Sequence, residues 1–171
     1  MPQTSQLVRY KSYEIFSHST GIEIREAVKN SEEDGQVTER VGRILLRFFK
    51  LTPKTSPDEV TQIRFICEPD EAFELGLLIN QVANSTVPCK EKLHPHKFSF
   101  GGQGSETVTT VSIEKWERSG KSGYALTIGR GKDFISVPVP LSKFIFAAEF
   151  LKFISTEQCW VERPDKRPVS I

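Results

Sequence analysis

Four consecutive segments near the end of the chain decide the fold: TVTTVSIEKWE (107–117), GYALTIGRG (123–131), DFISVPVPL (133–141) and SKFIFAAEFLKFIS (142–155). The first three are rich in β-branched and aromatic residues. Between them stand Gly and charged residues, where tight turns are needed, so they read as three strands of one antiparallel sheet. The fourth reads as a helix, with Lys143, Glu149 and Lys152 its only charged residues. A helix on a monomer surface has one apolar stripe and one polar face. Here apolar residues cover most of the circumference, which predicts packing on its own sheet and on a second surface, read as another subunit.

Working outward towards the N-terminus, the same order of elements recurs. Residues 13–18 and 22–29 read as two strands, the second alternating Ile22, Ile24 and Val28 with Glu23, Arg25 and Lys29. NSEEDGQVTE (30–39) reads as an acidic loop with a turn at Asp34–Gly35. A third strand over 42–51 has Ile44, Leu46 and Phe48 on the face read as core. Its other face interleaves Arg43 and Arg47 with Leu45 and Phe49. A fourth strand over 60–67 turns Ile63, Phe65 and Cys67 inward and Gln62, Arg64 and Ile66 outward. Pro69, Asp70 and Glu71 start a helix running to about residue 84, carboxylates being favourable at its positive end. Gly76 in that helix costs about 1 kcal/mol relative to Ala, which fits a close approach of another backbone.

Residues 85–96 form a connector, followed by a short strand KFSF (97–100) and a hairpin turn in GGQGSET. The chain is therefore read as an α+β fold of two four-stranded antiparallel sheets, each followed by a helix, an internal ββββα repeat. The helices occupy the core and the oligomer interface. Residues 1–11 are taken as a flexible N-terminus, 12–155 as one domain with half-repeats 12–84 and 97–155, and 156–171 as an irregular tail.

Composition narrows the function. At 171 residues and 37% hydrophobic the chain can bury a core without covalent staples. Cys67, Cys89 and Cys159 are an odd number without tight spacing, which points to free thiols and a reducing compartment. No apolar run matches a signal peptide or a membrane span, so the expected location is cytoplasmic, or organellar after loss of a targeting segment. The charge balance, 23 basic against 22 acidic residues, argues against a duplex-wrapping protein. Single-strand binding survives, because stacking on aromatic rings supplies part of its free energy. From Arg40 to Pro57 five basic residues occur with no acidic one, a local basic stripe.

Cations beside flat apolar groups are what a single strand needs. On the faces read as exposed, Arg25, Lys29, Arg43, Arg47, Phe49 and Arg64 belong to the first half. In the second, Thr110, Ser112 and Trp116 share a face with Phe134 and Ser136 nearby, and Lys115, Arg118, Lys121, Arg130 and Lys132 surround the turns. Leu75, Ile79, Phe146, Phe150 and Phe153 are the expected oligomer contacts. Cys89, His94 and His96 match no zinc spacing and lack a fourth ligand, GGQGSET lacks the Lys and Ser/Thr ending of a phosphate loop, and no nucleophile motif surrounds the three histidines. Neither catalysis, nor a metal, nor a cofactor is expected.

The run GYALTIGRGKDFISVPVPLSKFIFAAEFLKFI (123–154) resembles the second half of the Whirly single-stranded-DNA-binding proteins. There a strand ending in Val-Pro-Val or Ile-Pro-Ile precedes a helix containing Glu-Phe; here the matching residues are Ser136, Val137, Pro138, Val139, Glu149 and Phe150, with Glu149 later in the helix. GRILLRFFKL (42–51) is similar to the apolar strand of the family's first half. The plant Lys-Gly-Lys-Ala-Ala-Leu signature is absent, and Lys121–Leu126 is loosely like it in the other half. The resemblance implies a homo-oligomer, a tetramer or dimer, with helices inside and single-stranded DNA or RNA across the sheet faces. Its relatives include transcriptional coactivators and kinetoplastid guide-RNA-binding proteins, so transcription regulation or nucleic-acid maintenance is the expected role. The competing expectation is a protein-interaction or structural oligomerisation domain of the same fold, without nucleic-acid binding.

Overall fold

A computed structural model describes residues 6–99 and 106–164. The order of elements is β1 (Ser12–Phe16), β2 (Thr20–Glu33), β3 (Gln36–Lys50), β4 (Gln62–Cys67), α1 (Pro69–Ala83), β5 (Cys89–Lys92), β6 (His96–Ser99), β7 (Glu106–Arg118), β8 (Lys121–Arg130), β9 (Asp133–Val139), α2 (Leu141–Glu157) and β10 (Val161–Glu162). The class is α+β, with two antiparallel sheets each followed by a helix. The first sheet runs β1-β2-β3 and then divides, β4 pairing with the later part of β3 and β10 with Val41 and Arg40. The second divides likewise: β5 and β6 share one edge of β7, followed by β8 and β9. Each sheet is thus four strands wide, with one edge made of two short pieces.

Period-two alternation sets the faces. Ile44, Leu46 and Phe48 of β3 and Ile63, Phe65 and Cys67 of β4 are buried, while Arg43, Arg47, Phe49, Arg64 and Ile66 alternate to the other side. In the second sheet Val111, Ile113, Leu126, Ile128, Ile135 and Val137 point inward. These residues and the buried faces of both helices form one continuous core shared by the two half-repeats. The helices pack on each other as well as on both sheets. Where they cross, a Cβ on Gly76 would lie 2.9 Å from the Ala148 carbonyl oxygen, which accounts for the glycine in α1.

Several elements differ from the sequence expectation. The acidic stretch is no loop: β2 and β3 continue to Glu33 and Gln36, joined by Asp34 (φ 50°) and Gly35 (φ 76°). Two consecutive positive φ values make the two-residue turn whose twist matches the strands, and Asp-Gly is the pair that adopts it. Ser119 and Gly120 turn β7 into β8 in the same way. The connector contains a strand, β5, and Pro95 interrupts what would otherwise continue into β6. The expected turn GGQGSET lies largely outside the described residues. In the tail, Val161 and Glu162 pair with β3, and Gln158 before them is buried. Its side-chain nitrogen donates to the carbonyls of Ala27 (2.7 Å) and Arg43 (2.9 Å), and Trp160 Nε1 donates to its oxygen at 3.0 Å. This fastens the end of α2 across β2 and β3.

The expected oligomer contacts also divide. Leu75 and Ile79 are enclosed by the protein's own core and offer nothing to a second subunit, a correction to the sequence reading. Phe146 and Phe153 are 54% and 50% exposed, Phe150 is half-buried, and Phe73 and Leu77 of α1 and Ile145 of α2 are exposed as well. Tyr13 of β1 packs under this surface, its ring centroid 4.6 Å from that of Phe146, and burial raises its hydroxyl pKa.

Candidate nucleic-acid interface

The outer face of the first sheet carries Arg25, Lys29, Arg43, Arg47, Phe49 and Arg64, as the alternation requires. Its cations are not all free. Glu23, 3% exposed, sits among them and accepts from Arg47 Nε at 2.7 Å, with Arg25 3.6 Å away on its other oxygen. Arg43 donates to the carbonyl of Gly42 and lies 3.5 Å from Glu68. The Arg47 guanidinium also sits 4.8 Å from the Phe49 ring centroid. Phe49 in turn covers Gly21 on the neighbouring strand, where a Cβ would meet the ring at 2.5 Å.

A concave surface lies between the sheets. A groove of about 1040 Å³ is bounded by β2 (Ala27, Val28 and Lys29), Arg43, β4, the start of α1 and the 94–98 segment. Arg130 reaches it from the second sheet, donating from Nη2 to the Arg64 carbonyl at 2.6 Å and from Nε to Thr109. His96 holds the far wall in place. Its ring stacks on Phe65 with centroids 4.1 Å apart, and its Nε2 meets Glu71 Oε1 at 2.5 Å. The other Glu71 oxygen accepts from the backbone N–H of Glu68 and so caps α1. Both carboxylates of the groove are therefore engaged, Glu68 with Arg43 and Glu71 with His96 and the helix end. Lys29 and Lys97 have no carboxylate within 4 Å among the described residues. Beside these cations Val28, Ile66 and Phe98 are exposed apolar groups, Ile66 at 54%. The groove thus offers positive charge and apolar contact within one concavity, the two things a strand with splayed bases requires.

Four of the residues expected from the sequence, Lys29, Arg43, Arg64 and Arg130, meet in this groove. The rest do not. Trp116 lies on Gly123 across the β7–β8 pair, with a Cβ there 2.5 Å from its ring. Arg118 and Lys121 face each other in register at the end of that hairpin, about 30 Å of strand from Arg130. Lys132 stands at the β8–β9 turn, and Phe134, 68% exposed, rises from the outer face of β9. Lys115 is a correction: it shares the inward parity of Val111 and Ile113, and its Nζ donates to the Ser85 carbonyl beside α1. The sequence reading missed Lys97 and Phe98 and treated His94 and His96 only as metal candidates. Lys97 and Phe98 follow Pro95, and the alternation of strand KFSF, with an aromatic beside a cation, was the available signal. Among the described residues no three His, Cys, Asp or Glu side chains converge on a metal position.

These faces and the groove are carried by a Whirly-like fold. Among the solved structures it resembles, three each match over 90% of this chain: the plant transcriptional regulator PBF-2 (TM-score 0.54, 14% identity, 84% of that chain), and WHY3 (0.52, 14%, 90%) and WHY1 (0.52, 13%, 88%), both from Arabidopsis thaliana. At these identities the likeness is one of fold. No family model matches the sequence, and no curated protein matches it.

Proposed function

We propose that this protein binds single-stranded nucleic acid without catalysis, as a homo-oligomer, in transcription regulation or nucleic-acid maintenance. One observation carries the reading: Lys29, Arg43, Arg64, Lys97 and Arg130 converge with exposed Val28, Ile66 and Phe98 in one groove between the sheets. The cations neutralise phosphates and the apolar groups receive bases, while Trp116, Phe49 and Phe134 extend the contact over the sheet faces. The likeness of fold to PBF-2, described as a transcriptional regulator, supports the same reading. Free Cys67, Cys89 and Cys159 fit a reducing compartment, cytoplasmic or organellar. No helix of the described residues is long and apolar enough to cross a membrane.

The second reading, a protein-interaction domain of the same fold, rests on the exposed apolar helix surface around Phe146 and Phe153. We assign that surface to self-association, which leaves the groove open to nucleic acid. The discriminating experiment is fluorescence anisotropy with labelled single-stranded and duplex oligonucleotides at two salt concentrations. Preferential single-strand binding is expected, with the salt slope of the Arg64→Ala/Lys97→Ala variant flatter by about 0.7 for each phosphate that is no longer neutralised. Failure of the wild-type protein to bind any strand overturns the reading.

A further inference from the structure

The outer face of the second sheet carries a row of hydroxyls that the groove does not use. Register places Lys92 of β5 opposite Ser112, Ser112 opposite Thr127, and Thr127 opposite Ser136, so four side chains cross the sheet in one line. One repeat along the strands, Thr110 stands opposite Gly129, and Gly129 opposite Phe134. Because this part of the face is built from Ser, Thr and Gly, it is sunken. It forms a trench of about 420 Å³, with Phe134 at one side and Lys90 and Lys92 at the other. Glu114, opposite Lys90, offsets part of that charge and leaves Lys92 beside Ser112 as the cation facing the row.

The hydroxyls have capacity to spare. Thr127 and Ser136 are bonded to each other at 2.8 Å, which uses one of their two protons. Ser112 and Thr110 make no side-chain hydrogen bond among the described residues. A Ser or Thr hydroxyl both donates and accepts, and so does the ribose 2′-hydroxyl, the one group of the sugar that separates RNA from DNA.

Resting on the reading of the protein as a single-strand binder, we propose that this trench is a ribose-reading subsite and that the protein prefers RNA to DNA. A base stacks on the open ring of Phe134, the neighbouring phosphate is drawn to Lys92, and the 2′-hydroxyl is held by Ser112, Thr127 and Ser136. A deoxyribose in the same place strips water from these hydroxyls and gives nothing back, so the discrimination comes from the protein groups left unpaired.

The test is anisotropy of the full chain with oligouridine, oligodeoxyuridine and 2′-O-methyl oligouridine of one length, a set that differs only at the 2′ position. The wild type is expected to bind the ribose strand about tenfold more tightly than the deoxyribose strand, roughly the worth of one good neutral hydrogen bond. The 2′-O-methyl strand, which cannot donate, should fall near the deoxyribose one. In Ser112→Ala/Thr127→Val/Ser136→Ala the ratio should collapse towards one, the ribose strand binding more weakly and the deoxyribose strand somewhat more tightly because no hydroxyl is left dehydrated beneath it, with the salt slope unchanged. Ser136→Ala alone, which leaves the buried side of the sheet untouched, should lower the ratio part of the way. Equal wild-type binding of ribose and deoxyribose strands, or a ratio that survives in the triple variant, overturns the ribose subsite while leaving single-strand binding intact. If the wild type binds none of the three strands, single-strand binding itself fails and the subsite with it.

Discussion

Arg47 Nε donates to Glu23 Oε2 at 2.7 Å, and Glu23, among the arginines of the outer sheet face, is 3% exposed. A cation already neutralised by a buried carboxylate releases few counterions when a phosphate approaches. Arg47 and Lys97 should therefore behave differently. Arg47→Ala leaves the buried Glu23 without its closest partner and is expected to cost about 2 kcal/mol of stability, read from urea unfolding, with little change in the salt slope of binding. Lys97→Ala should do the reverse, flattening the slope by about 0.7 at unchanged stability. An Arg47→Ala protein of wild-type stability would show that the pair does not hold this face.

Gly42 lies beneath the segment that fastens α2 to the first sheet. A Cβ there would run into the Gln158 carbonyl and the Trp160 ring, and the Gly42 N–H donates to the Trp160 carbonyl at 3.1 Å. The Gln158 backbone cannot yield without shifting the segment that follows α2. Gly42→Ala is expected to destabilise the fold by about 3 kcal/mol, seen as a lower urea midpoint. Gly35→Ala strains only an exposed hairpin tip and should cost less.

The loop between β3 and β4 is closed by Glu59. One carboxylate oxygen accepts from the Thr55 backbone N–H at 2.8 Å and the other from Lys50 Nζ at 3.2 Å. The Thr55 bond first, and Lys50 after it, hold the Glu59 pKa below its ordinary value. With the folded value depressed, the carboxylate's contribution is complete above the unfolded pKa and is lost as pH falls through the folded one. Amide protection of residues 52–60, taken relative to the intrinsic exchange rate at each pH, should therefore fall on acidification below the usual carboxylate range. Glu59→Gln should show fast exchange already at neutral pH, and a loop indifferent to both changes would remove Glu59 from this role.

Phe146 and Phe153 stand on the surface while Leu75 and Ile79 lie within the core. If the helices form the subunit interface, Phe146→Asp/Phe153→Asp should give a smaller particle by light scattering, with secondary structure retained. Leu75→Ala should instead lower stability by about 3 kcal/mol through the cavity it opens. A wild-type particle size in the double variant would move the interface elsewhere.

The sequence determined what is local. Alternation along β3 and β4 separated Ile44, Leu46, Phe48, Ile63 and Phe65 from Arg43, Arg47 and Arg64, and the structure keeps every one of them on the expected face. Period and composition also defined α1, α2 and the α+β class, because helix and strand are set by residues a few positions apart. The acidic stretch was legible too, since Asp34–Gly35 is a hairpin signal, but its charge made it read as a loop. Tertiary structure alone decided the groove. It joins residues 27–29, 43, 64–66, 94–98 and 130, brought together because the Arg130 guanidinium bonds the Arg64 carbonyl and His96 stacks on Phe65. It likewise enclosed Leu75 and Ile79, and buried Gln158 against Ala27 and Arg43. Such placements depend on how two sheets and two helices share one core, and no periodicity within a single strand or helix carries that information.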